Sequence, residues 1–126
     1  QTGLVSPDNL CFDRAGNLWV TTDIADEELN SPKYAFHGNN SLYVIPMKGP
    51  HAGVALRVAN APIEAELTGP CFSPDGKTLF LSVQHPGGNS KGPQNLTSHW
   101  PDGGGKIPRP SVVTIQGPAL EALTSI

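Results

Sequence analysis

The chain has 126 residues, enough for one small domain, and its thirteen Pro and fourteen Gly against only 15% charged residues favour short strands joined by turns over helices. Its net charge is −3, with eight Lys and Arg scattered singly, which excludes a basic stripe and, with it, nucleic acid as a partner. No apolar run reaches the roughly 20 residues needed to cross a bilayer, so the chain is not expected to be membrane-spanning. It opens Gln1-Thr2-Gly3, with neither Met nor a leader, and reads as a piece of something longer.

Taken in chain order, the first element is a hairpin. Residues 9–22 (NLCFDRAGNLWVTT) give a short apolar strand, a turn and a second strand rich in aromatic and β-branched residues. A long loop over residues 26–40 leads to a third strand at 41–46 and a fourth at 53–59. The hairpin then returns about 60 residues later as 70–83 (PCFSPDGKTLFLSV). A strand repeat of this length means propeller blades. After it comes an irregular Gly-rich stretch between His85 and Arg109, then a third strand at 110–116, the pair Gly117-Pro118 and a short helical patch at 119–126. The predicted fold class is therefore all-β. It is a β-propeller fragment of about two blades of four-stranded antiparallel sheet, within a single domain, ending in that helical patch. Blade one spans 4–60, an incomplete blade two spans 61–118, and the tail is 119–126. In a ring, another terminus commonly supplies the missing outer strand and removes an open edge.

The first strand of each blade lines a propeller's channel, which fixes where chemistry is to be sought. Asp8 and Asn9 stand just before the first inner strand, and Glu64 and Glu66 just before the second. Asp, Asn and Glu oxygens suit a hard cation such as calcium, and a carboxylate can also hold ferric iron. The plainer reading makes Asp8 and Asn9 turn caps after Pro7 and the two glutamates solvated loop charges. Asp23 closes the second strand and either turns inward or ends the strand on its own backbone. His85 and His99 bracket a loop longer than connection requires, and each is otherwise a surface or packing residue. Arg109, stiffened between two prolines, can offer a guanidinium to an anion or be an exposed turn residue. Cys11 and Cys71 take the same strand position in successive blades and read as small core residues without chemistry. Trp19, Phe12, Phe72 and Phe80 read as contacts between blades.

Three segments together resemble the carboxy-terminal part of PhoX-type alkaline phosphatases: residues 6–20 (SPDNLCFDRAGNLWV), 65–87 (AELTGPCFSPDGKTLFLSVQHPG), and 98–102 (SHWPD) followed by 108–113 (PRPSVV). The resemblance runs over nearly the whole chain, and the Gln-His-Pro-Gly loop with Trp-Pro-Asp and Pro-Arg-Pro after it is its specific part. It implies an exported, periplasmic or secreted, monomeric enzyme that hydrolyses phosphomonoesters with calcium and iron(III) at one end of a propeller channel. Asp8, Asn9 and Glu66 then correspond to metal-site segments, and Asp23 to the Asp closing the Trp-Val strand, although Ile24 replaces the usual Gly after it. His85, His99 and Arg109 become candidates for the catalytic site, with Arg109 as a phosphate clamp. An acidic residue common after the Gln-His-Pro-Gly loop is replaced by Gly88, so any role of that acid is expected to be absent.

Two other functions suit the residues: a non-catalytic propeller segment that binds a partner or self-assembles, and a lactonase-like or esterase-like calcium propeller. The loop from His85 to Arg109 argues against the latter. The loop at 86–105 is expected at the channel mouth with His85 or His99 facing the site, and the isolated chain is expected to self-associate and to be inactive.

Overall fold

In the computed structural model, which describes residues 3–29 and 31–126, the chain is mostly β. Strands β1 (Pro7–Phe12), β2 (Leu18–Thr22), β3 (Ser41–Ile45) and β4 (Leu56–Asn60) form one antiparallel sheet in chain order. Strands β5 (Glu66–Phe72), β6 (Thr78–Gln84) and β7 (Ser111–Gln116) form a second, and helix α1 (Pro118–Leu123) follows. These are two β-propeller blades of four and three strands.

Local chemistry makes the two inner hairpins. In the first turn the buried Asp13 carboxylate accepts from Asn17 N at 2.9 Å and Asn17 Nδ2 at 3.0 Å, while Gly16 takes a φ of +89° that few side chains tolerate. In the second turn Asp75 Oδ1 accepts from Ser73 Oγ at 2.6 Å and Lys77 N at 3.0 Å. That turn is one residue longer, since Phe12 pairs with Leu18 but Phe72 pairs with Leu79. The structural counterpart of Trp19, opposite Cys11, is therefore Phe80, opposite Cys71.

The core lies between the sheets. Trp19, Leu42 and Val44 of the first sheet meet Leu67, Leu79, Leu81 and Val83 of the second, with Ala61, Ala65 and Leu120 of α1 completing the cluster. Phe72 packs edge-on against Trp19, centroids 5.3 Å apart and planes at 73°. Each such side chain contributes about 1.5–3 kcal/mol by leaving water.

Several expectations change. Trp19 and Phe72 do meet between blades, but Phe12 and Phe80 point to the outer faces, 64% and 40% exposed, because residues alternate faces along a strand. Cys71 is exposed for the same reason, and Cys11 is half-buried. Strand β4 begins at Leu56 because a turn with Gly53 at φ +79° occupies the residues before it. The helix runs only from Pro118 to Leu123, with Pro in its first turn, where a missing N–H costs nothing.

Candidate functional site

Both inner strands break register toward the same end of their sheets, one residue apart. Pro7 pairs with Thr22 and Leu10 with Val20, leaving Asp8 and Asn9 opposite one residue, and in β5 the irregularity falls between Thr68 and Cys71. Such bulges bend a strand and re-aim its side chains. Asp8 and Asn9 therefore sit within β1 and not ahead of it, and Glu66 is the first residue of β5. Asn9 Oδ1 accepts from Gly69 N at 2.7 Å and from Thr68 Oγ1, and its Nδ2 donates to Asp8 Oδ2 at 2.7 Å. Asn9 thus ties one inner strand to the next and orients Asp8. Asp23 follows β2, exposed, with its N–H donating to Ser6 O at 2.9 Å.

Glu66 pairs with Gln84, which carries His85 to the same end of the blade. His85 Nε2 lies 3.5 Å from Glu66 Oε2, and its Nδ1 lies 3.5 Å from Asp26 Oδ1. The ring bridges carboxylates from two different blades, on a backbone held at φ +34°, a strained setting that clusters at functional sites. Glu66 is only 9% exposed. Burial pushes its pKa above the ordinary carboxylate value, the charges of Asp23 and Asp8 add to the rise, and the hydrogen bond and charge of His85 oppose it. Asp26 is also raised, first by burial and then, against the pull of His85, by Glu64, Glu27 and Asp23. Carboxylates crowded in this way repel until a cation or proton joins them.

The structure thus brings Asp8, Asn9, Asp23, Glu66 and His85 to one end of the inner strands. Glu64 has another task. Its Oε2 accepts from Asn89 N at 3.0 Å and from Thr97 Oγ1, so it anchors the loop after His85. His99 and Arg109 stand in that loop's distal half. His99 Nδ1 is 2.9 Å from Lys106 O, while Arg109 makes a two-pronged pair with Asp102 at 2.9 and 3.0 Å and donates to Ser111 Oγ at 3.2 Å. Of the two histidines, His85 is the one that faces the carboxylates.

Two residues that sequence reasoning passed over support the site. Asp26 carries the far end of the His85 bridge, and a Cβ on Gly88 would come 1.8 Å from its Oδ2. A carboxylate from the neighbouring blade therefore fills the space beside the position where the acid is missing. Asn40 is fully buried. Its Oδ1 accepts from Ile24 N at 2.7 Å and Thr22 Oγ1 at 3.1 Å, and its Nδ2 donates to Ile24 O at 3.0 Å and Ala65 O at 3.3 Å. It fastens the end of β2 to the residue before Glu66. No sequence signal marks either, because both act through partners distant in the chain.

The donor chemistry of Asp8, Asp23 and Glu66 suits a hard cation. Among the described residues, however, no group of three or more His, Cys, Asp or Glu side chains is gathered closely enough to hold a metal ion unaided. No helix among them is long and apolar enough to cross a membrane.

A family described as alkaline phosphatase PhoX matches residues 1–87. Among solved structures, the chain is similar to Pseudomonas fluorescens PhoX in complex with vanadate, a transition-state analogue, with 41% identity and a TM-score of 0.71. The match covers 88% of this chain and 17% of that one. No curated protein matches the chain. With the family matched over more than half its length and a member's structure 41% identical over most of the chain, the chain belongs to the PhoX family of alkaline phosphatases.

Proposed function

We propose that this chain forms part of a metal-dependent, exported alkaline phosphatase that hydrolyses phosphomonoesters. The observation that carries the reading is the likeness to an enzyme structure holding a transition-state analogue, at 41% identity over 88% of the chain. Asp8 and Glu66 are the carboxylates that would hold a calcium or ferric ion, with Asp23 beside them. Glu66, whose pKa is raised by burial and then by the charges of Asp23 and Asp8, is a carboxylate that a cation would relieve, which supports this assignment. A bound cation there would neutralise charge developing on the phosphoryl oxygens and acidify a water. The chain's own residues supply the frame. Asn9 fixes the spacing of the inner strands, and His85, held by Asp26, orients Glu66 and limits its rotation. Arg109 would serve as a phosphate clamp only by giving up its pair with Asp102.

Exchanging this chain for the corresponding segment of the Pseudomonas fluorescens enzyme tests the reading. The chimera should hydrolyse p-nitrophenyl phosphate, lose that activity to a chelator, and lose at least tenfold on Asp8→Ala or Glu66→Gln. A folded chimera with no turnover, or one indifferent to chelator and to both substitutions, overturns it.

A further inference from the structure

The contact between the two blades changes character along its length. Toward the hairpin turns it is apolar, with Trp19, Val44 and Leu79 buried, whereas beside the carboxylates it is polar, with Thr22, Asn40 and Ser41 all 0% exposed. The side-chain polar atoms of these three residues all have hydrogen-bond partners. Apolar side chains would pack the same space, so a buried polar node with every partner in place points to a demand for fixed geometry.

Asn40 is the centre of that node. Its amide takes both backbone groups of Ile24, accepting from the N at 2.7 Å and donating to the O at 3.0 Å, and Ile24 stands between Asp23 and Asp26 in the chain. The same residue grips the turn at 61–65 by both ends. Asn40 O accepts from Ala61 N at 2.7 Å, and its Nδ2 donates to Ala65 O at 3.3 Å. That turn, with Glu64 at φ +57°, delivers Glu66 to the site. The His85 bridge joins the same two segments, but its ring is 43% exposed, which leaves Asn40 as the connection shielded from water.

We propose that Asn40 is a positioning residue for cation binding: by locking Ile24 to Ala65 it sets the distance of Asp23 and Asp26 from Glu66, and with it the affinity of the site for calcium. The inference rests on the metal reading given above. Asn40 acts through backbone groups and not through a ligand atom. Groups that hold metal ligands in place govern affinity nearly as the ligands do, and their loss costs about 10–100-fold. Both blades that Asn40 joins lie within this chain, and the node is closed to solvent by residues of the chain itself.

The test uses the chimera carrying this chain within the Pseudomonas fluorescens enzyme, stripped with a chelator and titrated calorimetrically with calcium. Asn40→Ala keeps the backbone bond to Ala61 and removes the side-chain bonds. It should bind calcium at least about fivefold more weakly, and the calcium concentration for half-maximal hydrolysis of p-nitrophenyl phosphate should rise equally, while kcat at saturating calcium stays within about twofold. Thr22→Val keeps the side-chain shape but loses the hydroxyl that donates to Asn40 Oδ1, and should weaken calcium in the same direction; Thr22→Ser should restore wild-type affinity. Asp13→Ala also strands buried donors, but at the opposite end of β1, so it should lower stability and leave calcium affinity unchanged. Should Asn40→Ala fail to fold, the two Thr22 variants carry the comparison. Wild-type binding that Asn40→Ala and Thr22→Val leave unaltered overturns this inference alone, as does an Asp13→Ala variant that weakens calcium as much as they do. A wild-type chimera that binds no calcium overturns the metal reading, and this inference with it.

Discussion

The indole N–H of Trp19 donates to Asp13 Oδ2 at 3.0 Å, so the largest buried side chain between the blades is bonded to the carboxylate that also shapes the β1–β2 turn. Phe80, its counterpart in blade two, has no N–H, and the residue matching Asp13 is Ser73. Replacing Asp13 by Ala leaves the indole and Asn17 donors buried without their acceptor. The expected loss is about 2–3 kcal/mol, read as a lower denaturant midpoint. The conservative Asp13→Asn should recover part of it, and an Ala variant as stable as wild type contradicts this role.

Asn40 makes a sharper case because its amide is used at both ends. Asn40→Ala should cost about 3 kcal/mol by stranding buried partners. Asn40→Asp should be no better, because it turns a donor facing Ile24 O and Ala65 O into an acceptor. An Asp variant that unfolds with wild type would remove Asn40 as the fastener between β2 and Glu66.

The space beside Gly88 admits one carboxylate. A methyl group there must displace Asp26, so Gly88→Ala should alter the His85 ring resonances in the same way as Asp26→Asn. The double variant Asp26→Gly, Gly88→Asp should move them back toward wild type by supplying the carboxylate from the other loop. Stability should change by only about 0–1 kcal/mol, since the His85–Asp26 pair is partly exposed. If Gly88→Ala leaves the His85 resonances untouched, the bridge does not hold the ring.

His37 is buried, with Nε2 unpartnered among the described residues and Nδ1 3.3 Å from Arg57 Nη2. Burial, and then the Arg57 charge, hold its pKa below the usual 6.5. As pH falls, the unfolded chain takes up the proton first, so the stability contributed by neutral His37 is complete above 6.5 and declines below it. Thermal midpoints measured from about pH 7 down to 5 should fall, and His37→Phe should flatten that slope. An unchanged slope would place the acid sensitivity elsewhere.

What could be read from the sequence was whatever the physics makes local. Gly16, Gly76 and the polar residues beside them specify the hairpins within a few positions, and the echo between residues 9–22 and 70–83 specifies the repeat. The single extra residue in the second turn was less visible. A constant offset sets Trp19 on Leu79, whereas hydrogen bonding sets it on Phe80, and that slip decides which aromatics are buried. At the site, the resemblance pointed to Asp8, Asn9, Glu66 and His85. Asp26 and Asn40 stayed hidden in a loop with no period, since their partners, His85 and Ala65, come from the next blade. Cys71 was expected inside because Cys usually is, but its strand face has no neighbour here.

The paired bulges separate two jobs along one strand. Residues 10–12 and 71–72 keep the alternation that seats each sheet on its neighbour, while the extra residue resets the phase for those nearer the channel end. The side chains of Asp8 and Asn9 are thus free of the parity that packing imposes, whereas in β5 Leu67 still enters the core. Substitution at Asp8 or Asn9 can change charge or size without moving Cys11 or Phe12 to the wrong face. A propeller built this way can exchange its chemistry while its blades stay in step.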